Sequence, residues 1–126
     1  MQFVDNPAIK DKESAYTTLT VDVLKVIKSW QASLFSFEWL RPDGSLKNIE
    51  ELPENEQEKR RQVQNTLDNN RPIEKPVLGI GMLENVEIGC GRAILLTLAA
   101  NGIQQLPVHV PNSHKEDFKP YSEGIE

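Results

Sequence analysis

Four consecutive residues, Gly89-Cys90-Gly91-Arg92, stand between a strand-like run that ends at Ile88 and an apolar run that begins at Ala93. Glycines let a chain turn sharply and let its amides come close to a ligand, and the first N–H groups of a helix lack intrahelical acceptors. A phosphate at this corner meets backbone donors from Gly89, Cys90 and Gly91, the positive end of a helix dipole, and the guanidinium fork of Arg92. Cys90 offers a second chemistry, because a thiol at a helix start beside a guanidinium is placed where the thiolate is favoured. A nucleophilic cysteine also needs a positioned base. The two histidines, His109 and His114, lie on the last strand and in the tail, and His109 alternates with Val108 and Val110 so as to face the opposite side. Glu84 and Glu87 are candidates for a base or a metal ligand, and Glu87 is a candidate partner for His109 across neighbouring strands. The competing reading is architectural: small residues fill a tight corner beside a core helix and bind nothing.

The elements that must position these residues follow from periodicity. Val21, Val23, Leu24, Val26, Ile27 and Trp30 form an apolar stripe after Thr20, which predicts a threonine-capped helix over 21–33. Phe35, Phe37 and Trp39 alternate with Ser36 and Glu38, the period of a half-buried strand, and Pro42-Asp43-Gly44 supplies the turn after it. Acids precede bases from Glu54 to Asn69, an order that suits a helix dipole, with sparse contacts at Leu52, Val63 and Leu67. Two short strands, 76–82 and 86–88, flank a turn at Glu84-Asn85, and Gly79 and Gly81 mark a bulge or a close approach in the first of them. A helix from Arg92, apolar on nearly every side, stops at Asn101-Gly102, and a strand over 105–110 follows. Pro107 predicts an edge position for that strand, or the first paired position in it. Residues 1–18 are expected as an irregular arm anchored by Phe3, Val4 and Ile9, residues 19–111 as a single domain, and residues 112–126 as a polar, fraying tail.

With 126 residues, 38% of them hydrophobic and 26% charged, the chain has the size and make-up of one globular α/β (α+β) domain with a short mixed sheet and about three helices. Its apolar run Ala93–Ala100 is far short of the roughly 20 residues of a membrane span, and no leader pattern opens the sequence, so a cytoplasmic location is expected. One cysteine forms no internal disulfide and no cysteine-based zinc site, and no metal set is read from the remaining residues. A net charge of −5 disfavours direct binding to nucleic acid. The basic triplet Lys59-Arg60-Arg61 is offset by Glu54, Glu56 and Glu58, as on a solvated helix face.

The pieces "IGCGRAILLTLAANG" and "IQQLPVHVP", within residues 75–111, resemble the ParB/sulfiredoxin superfamily, in which a strand leads through a Gly-rich motif with a basic end into a helix and a further strand. The Gly89-Cys90-Gly91-Arg92 run resembles the Gly-Cys-His-Arg motif of sulfiredoxins, where the cysteine is catalytic and the helix start and arginine help bind ATP phosphates. Gly91 replaces that histidine, and Arg92 alone stands where ParB-type domains carry two arginines. The DNA-binding module that follows in ParB proteins does not fit in residues 112–126. The resemblance thus implies a degenerate member. It would bind a nucleotide, ATP or CTP with magnesium, or another phosphate group at residues 89–92, with Gly79 and Gly81 nearby, supported by Glu87 and His109, and with weak nucleotide hydrolysis as an extension. A non-catalytic protein-interaction module, acting through the aromatic segment or the charged helix, is the alternative; a redox enzyme using Cys90 is a third.

Overall fold

The seven residues Tyr16–Asp22 open the main sheet of the computed structural model, which describes residues 1–122. In chain order the elements are β1 (Phe3–Val4), β2 (Tyr16–Asp22), α1 (Val23–Trp30), α2 (Glu54–Asp68), β3 (Ile73–Glu74), β4 (Val77–Ile80), β5 (Val86–Cys90), α3 (Arg92–Ala100), β6 (Gln105–Pro111) and α4 (Lys119–Ser122). The strand order β2-β6-β4-β5 makes a four-stranded sheet, and β1 and β3 form a separate pair. Strands β2 and β6 are antiparallel, β6 and β4 parallel, and β4 and β5 antiparallel. The expected α+β single domain is what the chain forms. Leu19 and Val21 lie opposite Val108 and Leu106. Together with Val23, Val26, Ile27 and Trp30 of α1 and Leu95, Leu96 and Leu98 of α3 they make one core.

The expected helix over 21–33 is shorter and starts later. Thr20 and Val21 belong to β2, and Asp22, not Thr20, caps α1 by accepting the Lys25 N–H at 3.1 Å. Val21 fits a helical stripe and a pleated strand equally well, and its pairing with Leu106 decides between them. The aromatic segment is not a strand either: residues 36–38 form a single 3₁₀ turn, with Trp39 1% exposed and Phe35 and Phe37 turned outward. Pro107 sits on an interior strand, opposite Thr20. Its position is tolerated because His109 N–H donates to Pro76 C=O at 2.9 Å, so that alternate residues of β6 turn their nitrogen toward that side, and β4 begins only at Val77, beside His109. The missing N–H of Pro107 therefore interrupts no ladder bond.

The N-terminal residues are structured, in contrast to the expected arm. Phe3–Val4 pairs in parallel with Ile73–Glu74, and Asn6 caps the turn Pro7–Ile9 through the Ala8 N–H at 2.9 Å. This segment covers the face of the sheet that carries His109, which is only 2% exposed. The His109 Nε2 accepts the Asn6 N–H at 3.1 Å, and Thr18 Oγ1 lies 3.4 Å from Nδ1. Burial, the largest influence, holds the imidazole below its usual pKa; Asp5 opposes this and Lys75 reinforces it. An unfolded chain therefore takes up a proton near pH 6.5 that the folded chain refuses, so stability is lost as pH falls below 6.5 toward the folded pKa. Urea midpoints measured at pH 7.5 and pH 5.5 are expected to show this loss, and His109→Gln to flatten it. The tail is likewise ordered as far as it is described: Phe118 is fully buried. Residues 123–126, part of the expected tail, lie outside the described residues.

Candidate functional site

Strand β5 enters the corner through a bulge. The single step from Val77 to Leu78 lies opposite two steps, Ile88 to Cys90, so Gly89 is the extra residue. The bulge expected at Gly79 or Gly81 is thus at Gly89. Gly91 then takes a left-handed φ of 81° as the N-cap of α3, and a Cβ there would stand 3.0 Å from Pro76 Cα. Gly102, which ends α3, has the same φ of 81° but nothing within 4 Å of a Cβ. The pair separates backbone strain from crowding. Gly102→Ala is expected to cost about 1 kcal/mol and Gly91→Ala about 2–3 kcal/mol, read as the difference in urea unfolding free energy.

Beyond Gly91 the N–H groups of Arg92, Ala93 and Ile94 have no acceptor among the described residues; the first bond runs from Leu95 N–H to Gly91 C=O at 3.0 Å. These amides open into a cleft of about 430 Å³ between the corner and α2, lined by Gly89, Cys90, Gly91, Arg92, Lys59 and Glu56 among others. Arg92 Nη1 lies 3.4 Å from Glu38 Oε1 and 3.8 Å from Glu56 Oε1. Its guanidinium also packs against the rings of Trp30 and Phe35, at 5.8 and 5.3 Å. Nη2 and Nε donate to no partner among the described residues, and Nε is shut from solvent.

Glu56 is the residue that the sequence reading missed. It was expected on the solvated face of the helix, yet it is 3% exposed. Its Oε1 accepts the Trp39 Nε1–H at 3.0 Å, and its Oε2 lies 3.0 Å from Lys59 Nζ. Burial pushes the Glu56 carboxyl up, but the hydrogen bonds from Trp39 and Lys59, with the charges of Lys59 and Arg92, outweigh it and hold the carboxyl below the usual range. An acid three residues before a lysine on a helix reads as a surface pair; only the indole and guanidinium brought in from distant segments show that it points inward.

The other candidates disperse. The side chain of Cys90 is exposed, and its thiol takes part in no hydrogen bond or ion pair among the described residues. Its register partner Val77 separates it from His109 by two strand spacings, roughly 10 Å, and the His109 Nε2 is spent on Asn6. His114 Nδ1 is spent on the Ile80 N–H at 3.1 Å, where it packs against Gly79. The expected pairing of Glu87 with His109 is overturned by the strand order, since β4 lies between β5 and β6. Glu87 instead accepts the Ser33 Oγ–H at 2.6 Å and the Asn85 Nδ2–H at 3.1 Å, and its Cγ would be 2.7 Å from a Cβ on Gly81. Gly79 and Gly81 are thus places of close approach, facing His114 and Glu87 rather than the corner. Glu84 is exposed in the tight turn, at a left-handed φ of 60°. Among the described residues no helix is long and apolar enough to cross a membrane. No family model matches the chain, and neither the curated proteins nor the solved structures hold a significant match to it.

Proposed function

We propose that the cleft at the start of α3 binds a phosphate group, in the first instance that of a nucleotide. The observation that carries this reading is the set of backbone N–H groups of Arg92, Ala93 and Ile94, which have no acceptor among the described residues and line one cleft together with the side chains of Arg92 and Lys59. The charges of Lys59 and Arg92 are balanced by Glu38 and Glu56. What remains is the partial positive charge of the helix start, which favours an anion. A phosphate that draws Arg92 off Glu38, where the contact is a long 3.4 Å, satisfies the donors that the carboxylates leave idle. The resemblance of residues 89–92 to the Gly-rich motif of the ParB/sulfiredoxin superfamily supports the same reading and suggests ATP or CTP, with magnesium, as ligands to try. Among the described residues nothing positions a base beside Cys90, so thiol chemistry is not part of the proposal.

The test is a thermal-shift series with ATP, CTP, GTP and inorganic phosphate, each with and without magnesium. A ligand at about 100 times its dissociation constant adds roughly 2.7 kcal/mol, a rise of several degrees in Tm. Arg92→Ala and Lys59→Ala, each compared with its own ligand-free Tm, are expected to remove most of that rise. Phosphate release from the ligand that binds best then reads weak hydrolysis. The absence of a shift with every ligand overturns the proposal. The second reading, a protein-interaction module, is favoured by a different feature of the surface.

A further inference from the structure

The loop after α1 and the tip of the β4–β5 hairpin display five large apolar side chains: Leu34 is 83% exposed, Phe35 54%, Phe37 68%, Met82 101% and Leu83 72%. Single apolar residues on a surface are ordinary, but five on two segments hydrogen-bonded to each other are not. The two segments are joined by a polar hinge-pin rather than by apolar collapse. Glu87 takes hydrogen bonds from Ser33 on the loop and Asn85 in the hairpin, its Cγ packs against Gly81, and Ser29 Oγ accepts the Val86 N–H at 2.9 Å. Ser33 and Asn85 are themselves buried, so the joint is sheltered while the apolar residues on either side of it stay in solvent. Folding has fixed the backbone of this region without burying its side chains.

The charges beside the cluster are acidic. Glu38 follows Phe37, Glu84 follows Leu83, and Glu87 lies between the segments, while Arg92, under the Phe35 ring, is paired with Glu38. We propose that this surface docks a protein segment that presents large apolar side chains flanked by lysine or arginine. Apolar contact supplies the attraction and the acidic rim selects the sign of the flanking charge. With Glu38 met by Arg92, a second copy of this chain would set Glu84 and Glu87 against acids of the same kind, and an anionic lipid surface would be repelled by them. The surface adjoins the phosphate cleft without being part of it: none of its five apolar residues lines the cleft, and Arg92 touches both through the Phe35 ring and Glu38.

The test uses the full chain and three synthetic helical peptides: leucines at i, i+3, i+4 and i+7 with lysines elsewhere, the same leucines with glutamates, and the same lysines with alanines for leucines. Amide chemical shifts are followed during titration. The Lys/Leu peptide is expected to saturate, to shift resonances confined to residues 33–38 and 81–87, and to bind at least tenfold more tightly than either control. Leu34→Ser/Phe37→Ser is expected to weaken it at least tenfold at an unchanged Tm, and Met82→Ser/Leu83→Ser gives the same reading from the other segment. Equal binding of the Glu/Leu or Lys/Ala peptide, shifts elsewhere, no binding, or indifference to both double variants overturns the proposal. So does a dimer in sedimentation velocity that the serine variants abolish, which would assign the surface to a second copy, or preferential binding to phosphatidylserine vesicles, which would assign it to lipid.

Discussion

Glu56→Ala is expected to lower the unfolding free energy by about 3–5 kcal/mol, the range for removing one partner of a buried charge pair. The substitution strands two groups at once. The Trp39 indole N–H, on a side chain 1% exposed, loses the acceptor it has among the described residues, and Arg92 loses one of its two carboxylates there. Glu54 and Glu58 flank Glu56 on the same helix and face solvent, so Glu54→Ala and Glu58→Ala are expected to change stability by no more than about 0.5 kcal/mol. Urea denaturation of the three variants at pH 7 makes the comparison; equal effects would show that Glu56 is not held as described. The pH dependence carries the same information. Because the folded-state pKa of Glu56 is depressed, its contribution is present above the unfolded value of 4.5 and is lost as pH falls from there toward the folded pKa. In Glu56→Gln that part of the acid loss is expected to disappear.

Phe118→Ala is expected to cost about 3–5 kcal/mol, which for a domain of this length corresponds to a fall in Tm of more than about 10 °C. Phe118 lies beyond the last strand, in a segment whose composition is polar, yet its side chain is fully buried and joins the main core. Its ring meets Tyr121 with centroids 5.7 Å apart and planes at 60°, and the Tyr121 hydroxyl reaches Ser29 Oγ on α1 at 3.0 Å. Further anchors precede it: Asn112 bonds Thr17 and Ser14, and His114 takes the Ile80 N–H. The segment 112–122 is thus a clamp across β2 and β4. A chain ended at Pro111 is expected to lose at least as much stability as Phe118→Ala, by thermal denaturation followed by circular dichroism; a chain that melts like the full-length protein would show the clamp to be dispensable.

The corner shows how far local residue types reach. Two glycines and an arginine between a strand and an apolar run predicted a sharp turn into a helix, and Gly91 does cap α3 in a conformation that disfavours a side chain. The same residues also predicted an arginine free to meet a ligand. In the folded chain Arg92 already has two carboxylates and two aromatic rings, all contributed by segments at least 36 residues earlier in the chain, as the nearest of them is Glu56. The aromatic segment failed as a strand for a related reason. Alternation of Phe35, Phe37 and Trp39 is the period of a pleated strand, but a strand forms only beside a partner, and here the one buried ring is drawn inward by the Glu56 hydrogen bond.

The elements legible from residue order are those whose signal is local: α2 from its charge order, α3 and its stop at Asn101-Gly102, the β4–β5 hairpin, strand β6, and the α+β class that they compose. Capping, turn chemistry and periodicity act over a few residues and can be read there. Long-range packing sets the rest: β2 and not a helix holds Thr20 and Val21, β6 is interior, Glu56 and His109 are buried, the polar tail supplies a core phenylalanine, and Phe35 and Phe37 remain largely in water. Each of these depends on a contact between residues far apart in the chain, where the energy of burial or of a hydrogen bond overrides the weaker preference of the local stretch.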